Sequence, residues 1–397
     1  MHRSSARFLA AATTAAVLLI STPAQAATST SPDLNRTALN EAIRLRPSDG
    51  AAGAIAEVHK DGQSWRGTDG DLVTGKRIRS DAHFRIGSIA KPMEAVILLQ
   101  LSAEGRVNLD RSVQHYLPHL LPKKRFKEPI TVRQLLNHTS GLPQDFEGAP
   151  ATTPDQALDR RFDYLTFDQV IRQTLHPKGR PAPGPRFSPG TKQEYNSFGY
   201  RIAGKLIEHI TGHSYQYEVT ERVLKPLRMY ETVPHVAGHS TPVPRPYLPG
   251  YLPRNNGDLV DVNVQGGLPA SMTSTTGDLD RFITGLFDGS LLRPAQAAEL
   301  FAIPRGIDGK PLPYANESNC NMGPAKGTAC FSVGLMYVPL PDGSTLWGKT
   351  GSDPGYRSGV FATRDLHRRA VYALGTSSAD NQAPAVGLRL AQAAFGE

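Results

Sequence analysis

The sequence predicts a mixed α/β (α+β) fold. An antiparallel sheet flanked by helices is built from both ends of the chain, with a mostly helical part inserted between them. Two observations predict it. Strand patterns fall near the N-terminus, in "AAGAIAEVHKDGQSWRGTDG", and near the C-terminus, in "CFSVGLMYVPL", "STLWGKTG", "RSGVFATRD" and "RRAVYALGTS". Helical periodicity fills most of the span between them. The expected organisation is a single domain over residues 27–397. Its sheet-containing part comes from 27–125 and 300–397, and its mostly helical part from 126–299.

Each element has a local reason. Residues 1–26 carry an early basic pair (Arg3, Arg7), an apolar run from Phe8 to Ile20 and the small-x-small site Ala24-Gln25-Ala26. That is the secretory leader pattern, so the chain is expected outside the cell or in its envelope, with the leader removed. The apolar run is short for a membrane span, and no later segment reaches that length. A helix is expected within 27–48, then two strands around the Asp61-Gly62 turn. "PMEAVILLQLSAEG" is apolar almost all round and reads as a buried helix stopped at Gly105. "ITVRQLLNH", "FGYRIAGKLIEHITG" and the segment after "QGGLPASMTSTTGDLDRF" read as further helices, and "APAVGLRLAQAAFG" as a last helix covering the sheet. Two proline-rich stretches, residues 176–190 and 241–258, read as stiff surface loops.

Composition excludes several function classes. Hydrophobic residues are 39% and charged residues 20%, an ordinary globular balance. The formal charge of +8 is mild, and no basic run interleaves with aromatics, which argues against nucleic acid. Cys320 and Cys330 stand close together in an exported chain and are expected to pair as a disulfide, with two free thiols as the alternative. Two cysteines are too few for a structural zinc site, and no H-E-x-x-H is present, so no metal or cofactor is expected. "GDLVTGKR" has P-loop spacing up to Lys76, but Arg77 stands where a metal-binding hydroxyl is required. No G-x-S-x-G elbow is present.

The chemistry gathers around "FRIGSIAKP". Ser88 and Lys91 are three apart and share a face if a helix begins near Ser88. Pro92 supports that start, because proline is tolerated in a first turn and costs about 3 kcal/mol in an interior. A serine hydroxyl is a poor nucleophile until something removes its proton. A capping serine beside a surface lysine is the bland alternative, but a lysine on a buried helix is uncommon without a role. Further along, "WGKTGSDPGY" places Lys349, Thr350 and Gly351 on a predicted strand. There Gly351 would leave room for a substrate, and the Ser352 N–H could serve an oxyanion. "YNSFGY" supplies Tyr195, Asn196 and Ser197. Held between two lysines, Tyr195 could exist partly as phenolate and relay a proton.

"FRIGSIAKP", "TVRQLLNHTSGLP", "YNSFGYRIAGKLIEHITGHSY", "GGLPASMTSTTGDLDRF" and "GKTGSDPGY" occur in this order. Together they resemble the serine β-lactamase and D-alanyl-D-alanine carboxypeptidase superfamily, most closely the branch of class C β-lactamases and Streptomyces-type DD-peptidases. The resemblance runs from about residue 36 to the C-terminus and implies a β-lactamase/transpeptidase-like fold. It implies Ser88 as the acylated nucleophile, Lys91 as its partner, Tyr195 as proton relay and Lys349-Thr350-Gly351 as the edge-strand motif. It also implies an oxyanion hole from the N–H groups of Ser88 and Ser352. Which side chain is the first base stays open between Lys91 and Tyr195. One departure stands out: Ser197 occupies the usual asparagine position, so Ser197, with Asn196 as a possible substitute, is expected to bind substrate. The expected activity is a serine-type D-alanyl-D-alanine carboxypeptidase acting on peptidoglycan stem peptides as a monomer, with β-lactams as inhibitors or substrates. A class C-like β-lactamase, or a broad esterase or D-amino peptidase, using the same site is the first alternative. A catalytically silent exported binding protein is the second.

Overall fold

The computed structural model describes residues 33–71, 73–146, 152–236, 239–315, 326–378 and 385–396. The leader expected over 1–26 and Cys320 lie outside the described residues. From Asp33 onward the chain forms one compact unit.

Helix α1 (Arg36–Ile43) is capped by Asn35, whose Oδ1 accepts the Ala38 N–H at 2.9 Å. Strands β1 (Ala51–Lys60) and β2 (Gln63–Asp69) follow. Asp61 and Gly62 between them both take positive φ, 48° and 81°, the geometry that matches the twist of a two-residue hairpin. Helix α2 (Ala90–Ala103) is entered through a single 3₁₀ turn, Gly87–Ile89, and stops before Gly105 at φ 73°. Its Met93, Val96, Ile97, Leu98, Leu99 and Leu101 are fully buried. At about 2 kcal/mol each, their burial gives of order 10 kcal/mol of gross stabilisation. Helix α3 (Ser197–Thr211) ends on Gly212 in the left-handed conformation, and α4 (Thr276–Phe287) is capped by Thr275.

The C-terminal strands are β3 (Met336–Pro339), β4 (Thr345–Asp353), β5 (Tyr356–Thr363) and β6 (Arg368–Thr376), followed by helix α5 (Ala385–Phe395). With β1 and β2 they make a six-stranded antiparallel sheet in the order β3-β4-β5-β6-β1-β2. Both ends of the chain therefore supply the sheet, as expected. Period-two alternation separates its faces. Ala54, Ala56 and Val58 of β1 pack with Leu39 of α1 and Leu390 and Phe395 of α5. Ile55 turns to the opposite face and the larger core that holds α2, α3 and α4.

Two expectations are corrected. "CFSVGLMYVPL" is a strand only from Met336 to Pro339. Upstream, the Cys330 and Phe331 N–H groups are taken by the Gln193 side chain at 2.8 and 3.0 Å, and Gly334 turns at φ 87°, so that backbone is satisfied without a sheet partner. The second proline-rich stretch is not a surface loop throughout: Val243, Leu248 and Tyr251 are buried.

The sheet also leaves an edge open. β3 pairs β4 only from Pro339↔Thr345 to Met336↔Gly348. Among the described residues, Lys349–Asp353 have no strand on that side.

Candidate active site

The 3₁₀ turn before α2 places Ser88 beside this open edge. Gly87 makes the approach possible. It sits at φ 49°, and a Cβ there would lie 2.5 Å from Ser352 O and 2.6 Å from Ser352 N. Ser88 does not cap the helix, since α2 begins without any side-chain cap bond. Instead its Oγ accepts from Lys91 Nζ at 3.1 Å and from the Tyr195 hydroxyl at 2.9 Å. The spacing of three residues delivers the first contact, and the fold delivers the second across 107 residues of chain.

Tyr195 is held on every side. Its N–H donates to the Tyr314 hydroxyl at 2.7 Å, and its carbonyl accepts from Gln144 Nε2 at 2.9 Å. Its ring lies 4.6 Å from His138 and 5.4 Å from Phe331, centroid to centroid. Lys349 Nζ stands 4.8 Å and Lys91 Nζ 5.5 Å from the ring centroid. Burial by itself would raise the phenol's pKa. The charges of Lys349 and Lys91 and the hydrogen bond to Ser88 outweigh it and bring the phenol to about 7. Lys349 is itself buried and its pKa is lowered, first by burial and further by Lys91, with the Tyr195 phenolate opposing. His138 is fully enclosed. Burial and the two lysines hold its pKa well below the usual range, and its Nδ1 accepts the Asn196 N–H at 3.1 Å. It is a neutral structural group, in keeping with its place in the turn after the Val132–Leu136 helix.

The edge-strand residues divide by direction. Lys349 points toward Tyr195, while Thr350 and Ser352 are exposed. Gly351 has a different reason from the one expected. A Cβ there would meet Ile86 O at 1.9 Å and Ser358 Oγ at 2.6 Å, so the missing side chain admits the chain's own backbone just before Ser88. The glycine seats the nucleophile's segment on β4; substrate access is not what requires it.

Asn196 is also corrected. It is 3% exposed and caps α3: its Oδ1 accepts the Gly199 N–H at 2.7 Å, and its Nδ2 donates to the carbonyls of Leu142 at 3.0 Å and Pro143 at 2.9 Å. With its side-chain groups all committed, it cannot substitute for an amide facing substrate. Ser197, the first residue of α3, does line a cavity with Ser88.

Two cavities meet at Ser88 and Ser352. The larger, about 850 Å³, takes in Tyr195, Lys349, Thr350 and Gly351 and runs toward α5. The smaller, about 330 Å³, lies on the Lys91 side and is lined by Glu94, Asp145, Ser197, Arg201 and Asp353 among others. Apart from Lys91, the charged residues of this second cavity were not singled out in the sequence. Glu94 carried a signal, a carboxylate three residues after Lys91 in an otherwise apolar run. Burial pushes its pKa up to about 8 against the opposing charges of Lys91 and Arg201. Asp353 is likewise raised by burial, against Arg85, Arg201 and the Gly87 N–H. Asp145 and Arg201 form an ion pair at 3.4 Å.

Cys330 is not a free thiol and packs with Tyr314, Phe331 and Met336; the bridge to Cys320 expected from the sequence involves a residue outside those described. Among the described residues, Glu57, His59 and Asp280 bring metal-type ligand atoms together, but Arg66 binds Glu57 at 2.8 Å and Arg369 binds Asp280 at 2.6 Å, so cations already neutralise the group.

Known proteins share this architecture. A D-stereospecific amidohydrolase from Streptomyces sp. superposes on 92% of this chain and 99% of its own, with a TM-score of 0.72 and 28% identity. The penicillin-binding protein from Bacillus halodurans matches 86% of this chain and 94% of its own with a TM-score of 0.62; at 16% identity that is a likeness of fold. In sequence, Esterase EstB of Burkholderia gladioli is 30% identical over 237 residues, 58% of this chain and 57% of EstB. Protein flp of Staphylococcus aureus (strain MW2) is 32% identical over 150 residues, 38% of this chain, and the match spans only 27% of that protein. The family model described as Beta-lactamase matches residues 14–394, and with it the chain belongs to the beta-lactamase family.

Proposed function

We propose that this chain hydrolyses small amides and esters through an acyl-enzyme on Ser88. The observation that carries the reading is one oxygen with two partners: Ser88 Oγ is bonded by Lys91 Nζ at 3.1 Å and by the Tyr195 hydroxyl at 2.9 Å, beside a strand edge that no described strand pairs. With the phenol near 7, a substantial fraction is phenolate at neutral pH, and Ser88 then donates to it. Ser88 attacks the carbonyl carbon, its proton passes to Tyr195, and Tyr195 returns it to the departing nitrogen or oxygen. Lys91 and Lys349 keep the phenolate charged. The backbone N–H groups of Ser88 and Ser352 take the oxyanion, a class of contact whose removal costs about 2.7–4 kcal/mol. Water then releases the acid.

Two substrate forms share this chemistry. The motif set favours D-alanyl-D-alanine stem peptides of the cell wall, with β-lactams acylating Ser88 as mimics, and the likeness to a D-stereospecific amidohydrolase supports a D-configured acyl donor. A second form, an amidase or esterase, is favoured by Ser197, a short hydroxyl at the position where the resemblance calls for an amide, and by the likeness to an esterase. Intact-mass analysis with excess penicillin over time, beside Ser88→Ala, separates them. A lasting adduct on the unmodified protein alone supports the peptidase form, and an adduct that disappears while penicillin is consumed supports β-lactamase turnover. No adduct, with hydrolysis of p-nitrophenyl acetate that Ser88→Ala abolishes, supports the esterase form. No adduct and no ester hydrolysis refutes the acyl-enzyme and leaves the silent binding protein. We also propose that residues 1–26 direct export; a mature chain beginning at Ala27 is the expected result of N-terminal sequencing, and an intact Met1 in secreted protein would contradict cleavage.

A further inference from the structure

The larger cavity has an apolar neighbour across a shared wall. A second hollow of about 230 Å³ lies between the sheet and α5 and shares Met336, Thr350, Tyr372, Gly387 and Leu388 with the cavity that holds Ser88 and Tyr195. Its deeper wall is formed by Val338, Leu346, Phe361, Ala370, Leu390 and Phe395. Apart from Thr350 and the Tyr372 hydroxyl, every side chain around it is apolar, and burial pushes the Tyr372 phenol up to about 12, so it stays uncharged. Leu388, 62% exposed, stands on the wall common to both spaces.

The chemistry fixes which part of a substrate can enter. Tyr195 must reach the departing atom to protonate it, and Tyr195 lines the larger cavity and not the smaller one. The leaving group therefore has to lie in the larger cavity, which runs on toward α5. From this adjacency we infer that the hollow beneath α5 is a leaving-group subsite for an apolar alkyl chain, roughly butyl to octyl in size, carried on the alcohol or amine that Ser88 displaces. The inference rests on the acyl-enzyme reading above and names the substrate class of its second form. In the step itself, the Ser88 Oγ–carbon bond forms and the carbon–oxygen bond to the alkyl alcohol breaks. The serine proton travels through Tyr195 to the leaving oxygen, and water hydrolyses the acyl-enzyme to the free acid.

The test compares kcat/KM for ethyl, butyl, hexyl and octyl esters of acetic acid in a pH-stat, with p-nitrophenyl acetate as reference. Beyond ethyl, the intrinsic reactivity of these esters is nearly constant, so a trend reports binding of the chain. The expected rise is about fourfold per buried methylene until the hollow is full. Filling it through Ala391→Phe should bring the octyl-to-ethyl ratio to near one, and a misfolded variant would lower both rates and leave no selective change in the ratio. A flat series, a ratio that Ala391→Phe does not alter, or no turnover of any alkyl ester while p-nitrophenyl acetate is hydrolysed, overturns the subsite. Failure with p-nitrophenyl acetate in the unmodified protein overturns the esterase form, and the subsite with it; the acyl-enzyme reading falls only if penicillin also leaves no adduct on Ser88.

Discussion

Replacing Lys349 by methionine removes the charge closest to the Tyr195 ring and keeps the length of the side chain. Lys349 is 4% exposed, so solvent screens this pair little. At the 4.8 Å between Nζ and the ring centroid, a unit charge stabilises a phenolate by about 3 kcal/mol at an effective dielectric of 20 and by about 1 kcal/mol in the limit of water. At 1.36 kcal/mol per pH unit, the phenol should titrate roughly one to two units above its present value of about 7. The sign is definite. Phenolate is the reactive form, so kcat/KM rises as the pH climbs through the phenol's pKa, and loss of a neighbouring cation moves that rise toward alkaline pH. The assay is kcat/KM for p-nitrophenyl acetate from pH 5.5 to 10, corrected for spontaneous hydrolysis. Lys349→Met should shift the rising limb from near 7 to between about 8 and 9, Lys349→Arg should leave it near 7, and Tyr195→Phe should abolish it. A limb that stays near 7 in Lys349→Met would refute the assignment of Tyr195 as the group that takes the Ser88 proton.

Two further predictions concern stability. Burial raises the Glu94 carboxyl from 4.5 to about 8, so the folded state holds its proton more tightly than the unfolded chain. Its contribution is complete below about pH 4.5 and is lost as the pH rises toward 8, a swing of roughly 4–5 kcal/mol. Glu94→Gln should therefore gain stability over the unmodified protein steadily between pH 5 and 8 in urea titrations, and a constant difference across that range would contradict a carboxyl held protonated. Asn196→Ala should cost about 2–3 kcal/mol, from a lost helix cap and two unsatisfied carbonyls, with little change in KM. A large rise in KM at unchanged stability would restore Asn196 as a substrate ligand.

Much of this protein is determined by local sequence. The i, i+3 spacing of Ser88 and Lys91, with Pro92 confining the helix start, brings the lysine onto the nucleophile through a local contact. Asp61-Gly62 sets the β1–β2 hairpin, Gly105 and Gly212 end α2 and α3, and period-two patterning assigns strands to both ends of the chain. These features depend on neighbours a few residues apart, which is why sequence carries them.

What the tertiary structure alone decided involves segments far apart in the chain. Asn196 and Ser197 are adjacent and both polar, and only the carbonyls of Leu142 and Pro143 determine that one is consumed as a cap while the other faces a cavity. Gly351 is legible as a close approach, but the approaching group, Ile86 O, is fixed by how the turn before α2 seats on β4. The Cys330–Leu335 segment has strand-like composition and loses its sheet partners to the Gln193 amide. The cavity around Glu94 and the apolar hollow under α5 are spaces between elements, and a space has no residue of its own in the sequence. Its size and lining follow from how the sheet, α2 and α5 pack against one another.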